Sequence, residues 1–403
     1  MPLANGRPYL AIPGPSVVPD RVLAAMHRPS PNIYAGALVE MVAGLWPDLR
    51  AVAGTTANVA IYIGNGHALW EASAANLFSR GDRVLLVSTG HFGLGWALAL
   101  RALGVEVDCL DFGRGPADPA AVEAALRADG AGAIRAVMTT HVDTASSVRS
   151  DIPALRAAID RAGHGALLAV DCIASLGCDE FHMDLWGVDV VLAASQKGLM
   201  LPPGMGFVWF SEKARAAGRG AGLRTPYWDW APRADGPDFW QYWHGTAPTA
   251  HLYGLREALD MLLHEEGMAQ VWARHRALAG AVWAAFDAWG AGNPDIRLNL
   301  RDPALRSHAV TAARIGPAPA ATALRRWCEA KAGVTLGIGL GAAAPGDAEG
   351  DAFLRVAHMG HVNAHMTLGA LAAMEAGMIA LGIPHGAGAL PAAAGVVAGA
   401  AGV

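Results

Sequence analysis

Residues 190–204 read VVLAASQKGLMLPPG, and they place Lys197 between an apolar run typical of a buried strand and an apolar turn. Burying an ammonium group costs free energy unless the charge is paired or neutralised. The chain has only three lysines, and the other two, Lys213 and Lys331, stand beside charged residues typical of a solvated surface. The setting of Lys197 therefore indicates an amine with a lowered pKa, or one that is consumed as an imine.

Apolar runs alternate with helix-like segments from about residue 55 to residue 215. Acidic residues begin two of these segments, at Asp118 and Asp151, as expected for helix N-termini. Apolar strands separated by helices favour a mostly parallel sheet covered by helices, so the predicted fold class is α/β. Ligands of such sheets bind beyond the carboxyl ends of the strands. The predicted strands lie at residues 59–63, 83–87, 105–110, 134–140, 166–171 and 188–192.

The pattern predicts two domains. Residues 15–283 form the large domain, and a long helical pattern from Leu252 toward Trp283 leads out of it. Residues 284–390, joined by residues 1–14, are expected to form a smaller C-terminal α+β domain. Residues 391–403 make an Ala/Gly-rich tail to which no function is assigned.

Composition excludes several classes of protein. Hydrophobic residues make up 53% of the chain and charged residues 16%, which is typical of a globular protein. A net charge of -5 favours neither nucleic acid nor an anionic membrane as a partner. The first residues lack the layout of a signal peptide, and we expect no membrane span. The four cysteines are too scattered for a disulfide framework and predict reduced thiols in a cytoplasmic protein.

Asp171 ends a predicted strand at the same edge of the sheet as Lys197. A carboxylate at a strand end is often only a helix cap or a turn former. Paired with a desolvated lysine, however, it meets the needs of pyridoxal phosphate. That cofactor requires a lysine for its imine and an acid that keeps its pyridinium nitrogen protonated.

Three further segments have chemical potential. The junction at residues 64–72, GNGHALWEA, could hold a phosphate on backbone N–H groups, although it is equally a plain turn. Phe92 could stack on a flat ring or pack in the core. Arg355, a lone cation in an apolar run, could clamp a carboxylate or form a structural ion pair. The histidines near Arg355 lack a close cysteine or acidic ligand, so no metal site is predicted, and they are His358, His361 and His365.

Taken together, these segments resemble the class V aminotransferases of fold type I, especially the serine–glyoxylate and alanine–glyoxylate group. The similarity extends over almost the whole chain, from PGP at residues 13–15 to LRVAHMG at 354–360. SQKGLMLPPG at residues 195–204 is its most specific segment. The resemblance implies pyridoxal 5'-phosphate as cofactor and a homodimer. It also implies transamination between a small amino acid (serine, alanine or aspartate) and a 2-oxo acid such as glyoxylate or pyruvate.

The resemblance also implies a role for each matching residue. Lys197 would form the imine and move the proton, while Asp171 would pair with the pyridinium nitrogen. Arg355 would bind the substrate carboxylate, and Thr246 would reach the phosphate of the partner subunit's cofactor. The remaining residues would contact the cofactor phosphate or ring, and they are Asn65, Gly66, His67, Phe92, Thr144 and Gln196.

The chain departs from this group at Asn32, Asn65, Ala145 and Trp243, and the departure near Asn32 leaves the amino donor open. Two other functions fit the same scaffold. One is a pyridoxal-phosphate lyase or a desulfurase, for which Cys328 is the available thiol outside the large-domain core, in a helical context that looks structural. The other is a non-catalytic ligand-binding relative, against which the presence of both Lys197 and Asp171 argues.

Overall fold

Two β-sheets organise the chain in a computed structural model that describes residues 3–402. The strands, in chain order, are β1 (Tyr9–Ala11), β2 (Asn58–Gly64), β3 (Arg83–Ser88), β4 (Glu106–Asp111), β5 (Ile134–Thr140), β6 (Val142–Asp143), β7 (Val148–Arg149), β8 (Leu167–Asp171), β9 (Val190–Ala194), β10 (Gly204–Phe210), β11 (Ile296–Leu298), β12 (Val310–Ile315), β13 (Val334–Ile338) and β14 (Phe353–Ala357).

Helices surround both sheets. In chain order they are α1 (Asp20–Met26), α2 (Ala37–Ala43), α3 (Leu45–Ala53), α4 (Gly66–Leu77), α5 (His91–Ala102), α6 (Pro119–Ala128), α7 (Ile152–Arg161), α8 (Glu212–Ala217), α9 (Ala231–Asp235), α10 (Thr249–Leu259), α11 (Met268–Gly292), α12 (Ala320–Trp327), α13 (Ala364–Leu381) and α14 (Ala389–Ala401). The side chains of Asp118 and Asp151 cap α6 and α7, where the sequence predicted helix starts.

The larger sheet has the strand order β2-β10-β9-β8-β5-β3-β4. Neighbours from β9 to β4 pair in parallel, whereas β10 is antiparallel to both β2 and β9. Successive residues of β2 enter different hydrophobic clusters, Val59 and Ile61 on one face and Ala60 and Tyr62 on the other. A sheet buried on both faces needs apolar residues at every position, which explains the continuous apolar runs. The predicted α/β fold class is confirmed.

The smaller sheet has the order β1-β13-β14-β12-β11, with β1 parallel to β13 and the other pairs antiparallel. The N-terminal segment thus pairs with C-terminal strands; Met1 and Pro2 lie outside the described residues. The expected boundary at residue 283 falls within α11. The tail from residue 391 continues α14, whose Ala393 is buried in the small-domain core, while Val403 lies outside the described residues.

The helix predicted from Leu252 toward Trp283 is interrupted. After α10 the chain forms a π-helical segment at Asp260–Glu266, and Gly267 then adopts a φ of +83° before α11 begins. Only glycine adopts a positive φ without steric strain, so Gly267 determines where the helix breaks. The apolar periodicity continues on both sides of Gly267, and the sequence prediction missed the break for that reason.

The sequence predicts no membrane span, and one helix bears on this expectation. Within residues 3–402, α13 is one helix whose length and composition would suffice, and a third of its 18-residue window (33%) is buried. Its buried side chains, including Leu371 and Met374, belong to the core of the small domain. The apolar side chains of α13 therefore pack in the core of the small domain.

Candidate active site

A cavity lies beyond the carboxyl ends of the parallel strands. It has about 500 Å³ of empty space, part of which is open to solvent. The loops and helices that follow β2, β3, β5, β8 and β9 supply its walls, as expected for an open parallel sheet. The lining residues are Gly66, His67, Trp70, Phe92, Val142, Thr144, Asp171, Ile173, Ala174, Gln196 and Lys197.

Lys197 follows β9 and lies at the wall of this cavity. Its Nζ donates a hydrogen bond to the carbonyl oxygen of Pro13. Burial, together with the positive charge of Arg355, lowers the pKa of Lys197 to about 8 against the opposing effect of Asp171. An amine with such a pKa is partly unprotonated at neutral pH and can act as a nucleophile or a base.

Asp171 is the last residue of β8 and is 3% exposed. Its Oδ2 accepts a hydrogen bond of 2.8 Å from the indole Nε1 of Trp70, and its Oδ1 accepts one of 2.8 Å from the backbone N–H of Ile173. Burial raises the pKa of Asp171 to about 6, although both hydrogen bonds favour the carboxylate. A fixed carboxylate in an apolar wall is suited to a cationic ligand group.

The side of the cavity proposed for phosphate lies at the N-terminus of α4. The Oδ1 of Asn65 accepts from the backbone N–H groups of His67 and Ala68 at 3.1 and 3.4 Å. Asn65 is thus the helix cap, and it does not line the cavity. The sequence predicted free N–H groups at this junction, and this is wrong for the N–H groups of His67 and Ala68, which bind Asn65. Gly66 and His67 do line the cavity, together with Gln196.

Phe92 and Thr144 are brought together by a residue that the sequence analysis did not select, Asp143. Its carboxylate accepts from the N–H groups of Phe92, Gly93 and Ala145 at 2.8, 3.1 and 2.9 Å. Asp143 therefore holds the start of α5 against the β6–β7 hairpin. Burial raises its pKa, although these hydrogen bonds lower it in part.

Arg355 lies on β14 of the small sheet and does not line the cavity, but its positive charge acts on Lys197. Its Nε donates to the carbonyl oxygen of Ile338 at 2.8 Å, and its Nη1 donates to that of Thr144 at 3.2 Å. Among residues 3–402, no carboxylate forms an ion pair with it within 4.0 Å. Burial lowers its pKa to about 10. A buried cation held only by carbonyl groups is suited to an anionic ligand.

The model of one family, aminotransferase class-V, matches residues 48–343, which include the lysine, both carboxylates and the α4 junction. The chain is 37% identical to the serine–glyoxylate aminotransferase of Methylorubrum extorquens, over 94% of this chain and 92% of that protein.

The chain belongs to the class V aminotransferases.

Two further comparisons agree with this assignment. The L-aspartate–glyoxylate aminotransferase of Paracoccus denitrificans is 35% identical, over 93% of this chain and 91% of its own. The crystal structure of the ureidoglycine–glyoxylate aminotransferase of Bacillus subtilis superposes with a TM-score of 0.86 at 25% identity, covering 98% of this chain and 99% of that one. The family resemblance and the transferase activity inferred from sequence are confirmed.

For this aminotransferase, the sequence pattern did not identify Trp70 as a site residue, and it predicted a role for Thr246. Trp70, which binds Asp171, was missed, because a tryptophan in an apolar helix usually packs in the core. Its spacing of three residues from His67 was the available signal, since both then lie on one helix face; their rings are 4.5 Å apart. Thr246 was selected, but it is exposed and does not line the cavity of its own chain.

His358, one of the three histidines near Arg355, has hydrogen-bond partners within its own domain. His358 contacts the Thr311 hydroxyl at 2.9 Å and the His308 carbonyl oxygen at 2.7 Å. In the part of the chain that is described, no group of three His, Cys, Asp or Glu residues is arranged to hold a metal ion. All four cysteines are free thiols, and burial raises the pKa of Cys328 to about 12.

The residues of the cavity fit the cofactor that the family implies, pyridoxal phosphate. Within the described residues, the side-chain oxygen of Gln196 is buried without a hydrogen-bond partner, so a donor group of a ligand could satisfy it. Lys197 supplies an amine of lowered pKa, and Asp171 supplies a buried carboxylate on the same cavity. Phe92 presents an aromatic ring to the space between these groups.

One expected result concerns the aminotransferase without cofactor. The pKa of Asp171, about 6 when folded, exceeds its ordinary 3.8. Between these values the folded state holds a proton that the unfolded state releases, so the free energy of unfolding falls as pH rises. We expect Asp171→Asn to remove a fall of about 3 kcal/mol. Denaturant titrations across this pH range measure the difference, and parallel curves for both proteins would contradict it.

Proposed function

We propose that this enzyme transfers the amino group of a small amino acid to a small 2-oxo acid, using pyridoxal phosphate. Serine, alanine and aspartate are the proposed donors, and glyoxylate and pyruvate the proposed acceptors. The observation that carries the proposal is that Lys197 and Asp171 share one cavity with Gln196 and Phe92. The names of the serine–glyoxylate and L-aspartate–glyoxylate relatives support the choice of substrates.

Each residue would have a distinct part in the reaction. The cofactor, when bound, supplies an electron sink for the substrate α carbon. Lys197 Nζ would release the cofactor and then take and return the α proton, which its lowered pKa favours. Asp171 would hold a proton on the ring nitrogen, and Phe92 would lie against the ring. Arg355 would orient the substrate carboxylate.

The phosphate would be held at the N-terminus of α4. Gly66 and His67, which line the cavity, would contact the phosphate, and the side-chain amide of Gln196 would be oriented toward it. A Cβ at position 66 would lie 2.6 Å from Ile173 Cδ1, so a larger residue there would require the Ile173 side chain to move. Thr144 would contact the cofactor from the β6–β7 hairpin. The exposed amide of Asn65 would add a donor at the edge of this site.

A screen of amino donors tests the proposal. Each of serine, alanine and aspartate is paired with glyoxylate or pyruvate, and the absorbance of the cofactor is followed through each half-reaction. Transfer from at least one donor is expected. A protein that stays colourless with added pyridoxal phosphate would overturn the proposal. A desulfurase reaction is disfavoured, because Cys328 is buried and its thiol donates to the Ala373 carbonyl oxygen at 3.6 Å.

A homodimer in the cytoplasm is a further part of the proposal. Thr246 is exposed and does not line the cavity of its own chain, as required if it reaches the phosphate of a partner's cofactor. The free thiols suit a reducing compartment. Light scattering should give twice the mass of one chain, and a monomer that retains full activity would contradict the dimer. Recovery of the enzyme from the membrane or extracellular fraction would contradict the location.

We expect Arg355→Gln to lower kcat/KM by about 100-fold, chiefly through a higher KM for both substrates. The substrate carboxylate would lose a buried cation, a change of about 3 kcal/mol. Steady-state kinetics measure it. Arg306→Gln is the matched control, because Arg306 is also buried and donates only to the carbonyl oxygens of Leu300 and Arg301. Equal KM values for the two variants would contradict the role of Arg355.

A further inference from the structure

His275 is a buried imidazole in the middle of α11 that takes no part in the reaction described above. Its Nδ1 lies 2.7 Å from the carbonyl oxygen of Val271, and its Nε2 lies 3.0 Å from the backbone N–H of Gly360. Nδ1 must therefore carry the proton, and Nε2 accepts the hydrogen bond from Gly360. Burial lowers the pKa of His275 to about 3, so that the ring stays neutral and keeps this acceptor at working pH.

The neighbouring residue on α11, Arg274, binds the carbonyl group of the same glycine. Arg274 Nη1 donates to the carbonyl oxygen of Gly360 at 3.0 Å and to that of Val362 at 2.9 Å. Its Nε and Nη2 donate to Glu266 at 2.7 and 2.9 Å, which fixes the guanidinium. Two consecutive residues thus bind both the N–H and the C=O of Gly360, whose φ is +79°.

Gly360 in turn packs against the backbone that carries the reactive amine. A Cβ at Gly360 would lie 3.1 Å from Ser16 Oγ and 3.2 Å from the carbonyl oxygen of Lys197. Ser16 donates from its Oγ to that carbonyl oxygen at 2.8 Å, and from its N–H to the carbonyl oxygen of Gln196 at 2.9 Å. No side chain separates Gly360 from Ser16 and Lys197.

We propose that His275 is a positioning residue for Lys197. By accepting a hydrogen bond from the N–H of Gly360, His275 holds the turn at this glycine against the Ser16–Lys197 contact. This packing fixes the position of the Lys197 backbone, from which the side chain extends. Without this acceptor the turn moves away, water reaches the base of the side chain, and the amine loses its alignment with the substrate. The inference rests on the proposed role of Lys197 as the reacting amine.

The first test measures Lys197 itself and needs no activity. The cofactor-free protein is treated with acetic anhydride over a range of pH, and mass spectrometry gives the modification rate of each lysine. Lys213 and Lys331, both exposed, serve as internal references in the same sample. We expect His275→Leu to raise the midpoint of the Lys197 profile by about one pH unit, because added water weakens the desolvation that lowers its pKa. His275→Gln, whose amide oxygen can replace Nε2, should leave the midpoint within about 0.3 units of the parent.

The midpoint is informative because the charged groups that act on Lys197 stay in place. Arg355 and Asp171 have no hydrogen bond to His275 or Gly360, and the Cys178 thiol, which contacts the Gly360 N–H, stays neutral because burial raises its pKa to about 12. If His275→Leu does not fold, Gly360→Ala takes its place, because the added methyl group enters the same contact from the other side. An unchanged Lys197 midpoint in the variant used would overturn the proposal.

The second test separates positioning from a loss of stability. A misplacement of a reacting group by about 1 Å costs on the order of 100-fold in rate. We expect His275→Leu to lower kcat by about 10- to 100-fold with KM within about twofold, and His275→Gln to recover kcat to within about threefold. Leu278→Ala, on the same helix and equally buried, is the stability control and should keep kcat. A loss of kcat by Leu278→Ala that matches that of His275→Leu at equal melting temperature would show a structural role.

The two tests distinguish this inference from the proposed function. If no amino donor supports transamination but the Lys197 midpoint shifts as expected, His275 still positions the lysine and the assigned reaction is wrong. If transamination is found but neither the midpoint nor kcat changes in His275→Leu, the reaction stands and the positioning role is wrong.

Discussion

Replacing Lys197 with alanine is expected to lower kcat for transamination by about 10⁴-fold or more and to remove the visible absorbance of the bound cofactor. The reason is that no other described lysine is near: Lys213 and Lys331 are exposed and outside the cavity. Both the covalent bond to the cofactor and the proton transfer would be lost together. Single-turnover kinetics with added cofactor, combined with absorbance spectra, measure both effects.

The matched control for this change is Lys331→Ala, which removes an exposed ammonium group and should change kcat by less than about twofold. Addition of a small primary amine should partly restore proton transfer in Lys197→Ala, because the vacated space admits it. A Lys197→Ala protein that retains a tenth of the parent activity would refute the assignment of the reacting amine.

The second large effect is expected for Asp171→Asn, which should lower kcat by about 10³-fold. Asparagine can still accept a hydrogen bond from Trp70, whose indole nitrogen lies 2.8 Å from the carboxylate, so the geometry is largely kept. What is lost is the negative charge that holds the proton on the ring nitrogen, and truncating a buried charge pair costs about 2–5 kcal/mol. Steady-state kinetics and the absorbance maximum of the bound cofactor test this result.

Asp189→Asn is a control at the opposite end of the strands, because Asp189 directly precedes β9. Asp189 is 6% exposed, and it accepts from the Leu168 N–H at 2.9 Å and the Ser211 hydroxyl at 3.1 Å, away from the cavity. Its substitution should lower the melting temperature but leave kcat within about twofold of the parent. Similar losses of kcat for Asp171→Asn and Asp189→Asn would mean that the effect at Asp171 is one of folding.

The sequence alone predicted the sheet and the position of Lys197 because both depend on local pattern. Strands buried on two faces appear as continuous apolar runs, and a lysine at the end of such a run is conspicuous. No single segment of the sequence determines the order of the strands or the antiparallel direction of β10. They follow from which runs can pair once the helices cover both faces.

The site was predictable only where a residue carries an unusual charge for its surroundings. Lys197, Asp171 and Arg355 satisfy this condition, and the structure brings all three to one region. Trp70 and His275 do not, because each looks like an ordinary core residue until its hydrogen-bond partner is known. Asp143 acts on backbone N–H groups of residues about 50 positions away, a relation that no spacing rule contains.

The contacts of Ser16 and Gly360 have a consequence for how a newly made chain matures. The large sheet is complete once β10 has left the ribosome, but Gly360 is made much later, roughly 8 to 30 s at about 5–20 residues per second. During that interval Ser16 can reach Lys197, yet nothing from the C-terminal part covers their contact. We therefore expect nascent chains to present an open, water-exposed lysine, so that durable cofactor loading waits until Gly360 has been made.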